Sequence, residues 1–289
     1  MDYIIRGIDK TKSFRVFGAN TTDLVNIATK RHFTTPVASA CLGRAMTGVA
    51  MMAQMEKNPT DRVSIIIKGD GPIGGIVVEA NGMGDVKGYI YNPDVDIPKN
   101  KQGKLDVSGA IGNAVMTVMK DLGLKEPYIG QIAMLSGEIA EDLTYYFATS
   151  EQTNSMVALG VLVDTDYSIK HSAGIIIQVL PDAKEEAISD LEENLKSFTS
   201  LTECLEEGKK VEQVIEDLLG TFDIMEKTDL QFRCDCSKER MEKGLISLGK
   251  AELQDIVEDE QEDVELVCHF CNEKYNFDKK EIKEILTQL

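Results

Sequence analysis

An α+β fold with a small metal-stapled appendage is what this sequence predicts, on three observations. Short β-rich runs come in hairpin-like groups with helical stretches interspersed, which is not the strict alternation of a doubly wound parallel sheet. An acidic, amphipathic helical stretch begins after Pro181. Four cysteines in two close pairs then fall within residues 232–289, a segment too short for a comfortable core of its own.

Taken in order, residues 3–6 and 14–17 read as strands, followed by a helix over 36–57. Pro36 suits the first helical position, where its missing N–H costs nothing. Met46, Met51, Met52 and Met55 on that helix read as adaptable core packing. Residues 63–68 and 75–80 read as strands, and Asn81-Gly-Met-Gly84 as the turn into a further strand at 86–90, because Asn-Gly accepts the positive φ angles of a tight turn. A second helix is expected from Ser136 as N-cap, with Glu138, Glu141 and Asp142 in its first turns, to about residue 146. Strands at 156–163 and 173–180 complete a core domain over residues 1–181.

Composition changes at Pro181. Asp182 with Glu185 makes a capping arrangement, and Ile188, Leu191, Leu195, Phe198, Thr202 and Leu205 then recur at three- and four-residue spacing. Val211, Val214, Ile215 and Leu218 continue the stripe to Gly220, a natural C-cap. Residues 182–231 therefore read as an acidic helical linker that docks its apolar face on the core domain and is able to detach. Residues 232–289 form the third part, a small domain that needs a metal or disulfide staple.

The net charge of −18 is uneven: −2 over residues 1–181, −10 over 182–231 and −6 over 232–289. A surface that grips nucleic acid needs Lys and Arg to neutralise phosphates, so no nucleic-acid partner is expected. The N-terminus lacks the basic start and apolar run of a signal peptide. The longest apolar stretch, 37–55, is interrupted by Arg44 and Gln54, so no membrane partner is expected either. These features predict a cytoplasmic protein whose six cysteines meet a reducing environment, where metal and redox chemistry displace a disulfide framework.

The chemistry lies in Cys234-Asp-Cys236 and Cys268-His-Phe-Cys271, two pairs 31 residues apart. Four thiolates favour zinc and close its tetrahedral shell, leaving no open position for substrate, so the expected cofactor is one structural Zn²⁺ on Cys234, Cys236, Cys268 and Cys271. The same spacing lets each pair oxidise to a local disulfide, and the quartet can hold zinc or two disulfides but not both. Disulfides across such short gaps recover little chain entropy, so oxidation is expected to open the module. Cys41 reads as buried packing, Cys204 as a structural residue of the linker, and His269 as a bystander to a shell already complete. His32 and His171 have no partner visible in sequence. No G-x-S-x-G, phosphate-loop or H-E-x-x-H motif is present, so the chain is not expected to be an enzyme and no catalytic residue is assigned. Gly69-Asp-Gly-Pro-Ile-Gly-Gly75 reads as a tight turn between strands, and Glu138-Ile-Ala-Glu-Asp142 as a solvated helix start.

Over essentially its whole length the sequence resembles the redox-regulated 33-kDa heat-shock chaperones of bacteria. The resemblance rests on Cys234-Asp-Cys236-Ser-Lys-Glu-Arg240, Leu248-Gly-Lys-Ala-Glu-Leu253, and Cys268-His-Phe-Cys271 with Tyr275-Asn-Phe277. Leu42-Gly-Arg44, Gly69-Asp-Gly-Pro-Ile-Gly74, Gly137-Glu-Ile-Ala-Glu-Asp142, Ser150-Glu-Gln152 and Gln178-Val-Leu-Pro181 support it, while Ala173-Gly174-Ile175 departs from the Ala-Gly-Gly common in the family. The resemblance implies an ATP-independent holdase of the oxidative stress response, inactive while zinc sits on the four cysteines. It implies disulfides Cys234–Cys236 and Cys268–Cys271 on oxidation, loss of zinc, unfolding of the C-terminal domain and linker, homodimers, and binding of unfolding client proteins. Two other readings compete. One is a structural zinc-ribbon docking module for protein or nucleic acid, against which the acidic charge argues. The other is a thiol oxidoreductase using Cys268 and Cys271, which would not need Cys234 and Cys236.

Overall fold

The computed structural model describes residues 1–258 and 263–288. The chain divides into two compact units, Met1–Arg233 and Cys234–Leu289.

The first unit opens with β1 (Tyr3–Asp9) and β2 (Phe14–Asn20), followed by helices α1 (Thr22–His32) and α2 (Pro36–Ala53). Strands β3 (Arg62–Gly69), β4 (Gly75–Asn81) and β5 (Asp85–Ile90) form a meander. After the short α3 (Val107–Ile111) come β6 (Ala114–Asp121) and β7 (Tyr128–Ala133), then α4 (Ala140–Thr149), β8 (Ser155–Val163) and β9 (Ile169–Val179). Helices α5 (Glu185–Ser197), α6 (Leu201–Glu206) and α7 (Val211–Leu219) precede β10 (Phe222–Asp229) and β11 (Gln231–Phe232). The strands make two sheets, β10-β1-β2-β9-β8 and β11-β5-β4-β3-β6-β7, antiparallel throughout except that β11 runs parallel to β5. The α+β class expected from the sequence is what the chain adopts.

Helix α2 lies in the core between the sheets, and sixteen of its eighteen residues are buried. An apolar helix with no polar face has to be covered all round, and the small residues in α2 allow that. A Cβ at Gly43 would come within 2.9 Å of Val25 and Val161, and one at Gly48 within 2.8 Å of Leu143. Met46, Met51 and Met52 are fully buried there, as the packing reading requires, and so is Cys41, whose thiol is pushed up to about 12 by burial.

The five-stranded sheet is apolar on both faces. Ile4, Phe17, Ala19 and Ile176 point into the α2 core, whereas Ile5, Phe14, Val16, Ala173, Ile175 and Ile177 point the other way. That is why β9 runs Ile175-Ile-Ile177 without alternation: a strand covered on both sides needs apolar groups at successive positions. The second face is roofed by Leu191 of α5, Leu201 of α6, and Val211, Val214, Ile215 and Leu218 of α7. Gly18 permits the closest approach, since a Cβ there would stand 2.7 Å from Ile215 Cδ1 and 2.8 Å from Val211 Cγ1. Polar ties are peripheral: the Tyr3 hydroxyl donates to Glu212 (2.7 Å), and Lys170 Nζ and His171 Nε2 each lie 2.8 Å from Glu206. Solvent-screened pairs of this kind add little, so apolar burial holds the roof in place.

Several expectations need correction. The second helix starts at Ala140, not Ser136, because the Asp142 carboxylate accepts the backbone N–H groups of Leu135 (2.6 Å), Ser136 (3.1 Å) and Ile139 (3.3 Å) and folds that stretch into a loop around itself. Asp142 is fully buried and Glu138 pairs with Arg44 at 2.5 Å, so this cluster is structural and not a solvated helix start. Asp142→Ala would remove the acceptor of three backbone donors, one of them, Ile139 N–H, buried, and a loss of about 2–3 kcal/mol in urea unfolding is expected. Asp182 does not cap α5, which follows Lys184 with no side-chain cap. His171, partnerless in sequence, meets Glu206 of α6. The end of the predicted helical linker, after Gly220, is not helical: β10 adds to the edge of the five-stranded sheet beside β1.

The second unit contains α8 (Lys238–Leu248), α9 (Lys250–Glu258), the β12 (Asp263–Val267)–β13 (Lys274–Asp278) hairpin and α10 (Lys279–Gln288). Its buried apolar cluster comprises Leu245, Leu253, Phe277, Ile282 and Ile285.

Candidate metal centre

Each cysteine pair is fixed by simple local structure. Cys234 and Cys236 lie in the extended segment leading to α8, which Ser237 caps by accepting the N–H of Arg240 (3.3 Å). Arg240 turns back to donate to the Asp235 carbonyl (2.9 Å) and pairs with the Asp235 carboxylate, clamping the residue between the two cysteines. Cys268 and Cys271 occupy the loop joining β12 to β13. The N–H groups of Cys271 (3.3 Å) and Asn272 (2.8 Å) both donate to the Cys268 carbonyl, Cys268 N–H donates to Glu273 O (2.9 Å), and Asn272 takes a positive φ of 56° to close the turn.

These elements bring all four sulfurs within 4.8 Å of one another. Cys234 Sγ lies 3.7 Å from Cys268 Sγ, and Cys236 Sγ 3.3 Å from Cys271 Sγ. A zinc ion with Zn–S bonds of about 2.3 Å sets tetrahedral sulfur–sulfur edges near 3.8 Å, whereas a disulfide needs about 2.05 Å. The spacing fits a tetrathiolate metal site, and no disulfide joins any of the six cysteines. Among the described residues, this quartet is the group of His, Cys, Asp and Glu side chains able to hold a metal ion.

The donor set also fits electrostatically. Burial pushes the Cys234 thiol up to about 11 and raises Cys271 as well. At Cys236 burial also pushes upward, but hydrogen bonds from the Tyr275 hydroxyl and the neighbouring thiols outweigh it and hold this sulfur below the ordinary thiol range. A divalent ion would supply the charge that lets all four sulfurs ionise together. Cys204, on α6, is half-buried against the roof of the five-stranded sheet and lies outside the quartet. Tyr275 and Arg240 are the site residues that sequence reasoning missed. Tyr275 stood in the motif after the second pair, but nothing in its spacing shows that its hydroxyl reaches Cys236.

A two-unit α+β protein whose smaller unit presents a four-cysteine metal centre is thus defined by fold and site. The family model described as Hsp33 protein matches residues 2–278, and the chain belongs to that family of chaperones. It is 46% identical over 289 residues to a 33 kDa chaperonin of Lachnoclostridium phytofermentans, covering 99% of both chains, and 46% identical to one of Ruminiclostridium cellulolyticum, covering 99% of this chain and 98% of that protein. The crystal structure of the 33 kDa chaperonin of Thermotoga maritima superposes with a TM-score of 0.93 at 35% identity, over 99% of this chain and 98% of that one. Among the described residues no helix is long and apolar enough to cross a membrane.

Proposed function

We propose that this protein is an ATP-independent holdase of the reducing cytoplasm, switched on by oxidation of its four cysteines. The observation that carries the proposal is the second apolar face of the five-stranded sheet. It is covered by α5–α7, part of the −10 segment 182–231, and the chain runs on from there through β10 and β11 to the metal centre two residues past Phe232.

In the reduced state Cys234, Cys236, Cys268 and Cys271 hold one Zn²⁺. When bound, the ion supplies a closed tetrahedral tie between the extended segment before α8 and the β12–β13 loop. Under peroxide, each pair gives two electrons to one oxidant molecule, whose O–O bond breaks, and an S–S bond forms within the pair, Cys234–Cys236 and Cys268–Cys271. The joined sulfurs no longer carry the charge that retains a metal. A structural zinc contributes about 10–16 kcal/mol of folding free energy, more than the small apolar cluster around Leu245 and Phe277 can replace, so residues 232–289 unfold. The linker 182–231 is then released, its self-repulsion favouring detachment. Ile5, Phe14, Val16, Ala173, Ile175 and Ile177 become the surface that holds unfolding clients. Two copies with such faces open pair into homodimers.

The test follows zinc and client light scattering together, on reduced protein given peroxide at raised temperature. About one zinc per chain should leave as aggregation of the client is suppressed, and reductant should restore the thiols. Zinc retained with unchanged suppression would leave a purely structural zinc module.

A further inference from the structure

We infer that Tyr275 is a positioning residue of the metal centre, whose hydroxyl, donating to Sγ of Cys236 at 3.2 Å, restrains how fast the quartet yields to an oxidant. The inference rests on the proposed switch. Tyr275 stands on β13 opposite Leu266, in the hairpin whose loop carries Cys268 and Cys271. Its ring packs against the small apolar cluster of the second unit, which fixes where the hydroxyl points. The sulfur it reaches belongs to the other pair. The O–H···S bond therefore crosses the quartet and ties its two halves together by a route that does not pass through the metal.

A hydrogen bond to a ligand sulfur withdraws electron density from the lone pairs that would attack an oxidant, which is how the shell around a metal site tunes its ligands. With hydrogen peroxide as oxidant, a cysteine sulfur attacks one peroxide oxygen. An S–O bond forms, the O–O bond breaks, the sulfur loses two electrons, and the hydroxide released takes a proton to become water. The paired thiolate then attacks the sulfenic sulfur, forming S–S and expelling the hydroxyl as a second water. Tyr275 slows the first of these steps at Cys236 by occupying a lone pair, and slows opening of the quartet by keeping the two halves together.

Tyr275→Phe keeps the ring and its packing and removes only the donor. In the full-length protein, peroxide-driven zinc release should be about three- to tenfold faster in Y275F, the effect of losing one ordinary hydrogen bond, because an O–H···S contact is weaker than one to oxygen. Cobalt(II) bound in place of zinc gives a readout that packing alone would not move. The sulfur-to-cobalt charge-transfer band should shift to lower energy in Y275F, because an unbonded thiolate donates more strongly. Equal release rates and superimposable cobalt spectra would overturn the inference. A Y275F protein unable to bind either metal would also overturn it, because the hydroxyl would then build the site and not tune it. If the wild-type protein itself keeps its zinc under peroxide, the proposed switch fails. If the wild type releases zinc and Y275F matches it in rate and spectrum, only the role of Tyr275 fails.

Discussion

Replacing Cys268 with serine is expected to unfold residues 234–289 and release α5–α7 in the reduced protein, while α2 and the sheets packed on it keep their own unfolding transition. The reasoning is one of magnitudes. Whole small domains are stable by about 5–15 kcal/mol, and a structural zinc alone contributes about 10–16 kcal/mol. Among the described residues, the second unit's buried apolar cluster is Leu245, Leu253, Phe277, Ile282 and Ile285, to set against the ordering of more than fifty residues. Removing one thiolate from a closed tetrahedral shell leaves three ligands and a hydroxyl that is a poor donor to zinc. Limited proteolysis should cut C268S rapidly beyond residue 233 and within the released α5–α7 segment, and spare α2 and the six-stranded sheet packed on it. The zinc content should fall well below one per chain. A C268S protein that stays protected without metal would mean that the apolar cluster suffices and that metal loss cannot drive opening.

Placing a charge under the roof of the five-stranded sheet should switch on client binding without any oxidant. Ile215 of α7 is fully buried in the apolar cluster that includes Ile5 and Val16, close over Gly18, so changing it spares the α2 core. Truncating such a residue costs about 2–5 kcal/mol, and a carboxylate left unpaired beneath an apolar face costs more. The roof is otherwise held by peripheral ion pairs and five other buried side chains, so Ile215→Asp should detach α7 and with it much of α5 and α6. The reduced variant should retain its zinc, bind a hydrophobic dye and suppress client aggregation. Gly18→Val attacks the same contact from the strand, since a Cβ there meets Ile215 and Val211 at under 3 Å. It should push in the same direction by a smaller amount, because the Ile215 tip can partly give way. Zinc-loaded I215D with no gain in client binding would show that this face is not the client surface.

The contrast between what the sequence made legible and what it hid has a physical cause. The methionine-rich helix, the Asn81-Gly turn and the linker stripe were readable because periodicity and turn chemistry are local. The cysteine quartet was readable for a related reason: residues two or three apart are bound to be neighbours, and four such thiols suit a soft tetrahedral metal. Helix α1 and strands β6, β7 and β10 went unread. Their residues are polar or mixed, and tertiary pairing decides their state, as for Phe222–Asp229, most of which is exposed and held as a strand by β1. Asp142 misled for the same reason. A carboxylate near a helix start looks solvated in sequence, and only the folded loop shows three backbone donors converging on it. The Ile175-Ile-Ile177 run could have revealed a sheet covered on both faces, because an unbroken apolar run in an antiparallel strand leaves no side for water. Tyr275 and Arg240 act across the fold, and spacing cannot report that.

Hydrogen exchange on the full-length protein, reduced with zinc and then oxidised with peroxide, tests the central claim most directly. The account predicts that amides of α5, α6 and α7 and of residues 234–258 and 263–288 are protected in the reduced form and lose that protection together on oxidation. Amides of α2, β3 and β4 should stay protected in both states. Loss of protection confined to the cysteine unit, with α5–α7 still protected while client binding appears, would contradict the claim that releasing this roof creates the client surface.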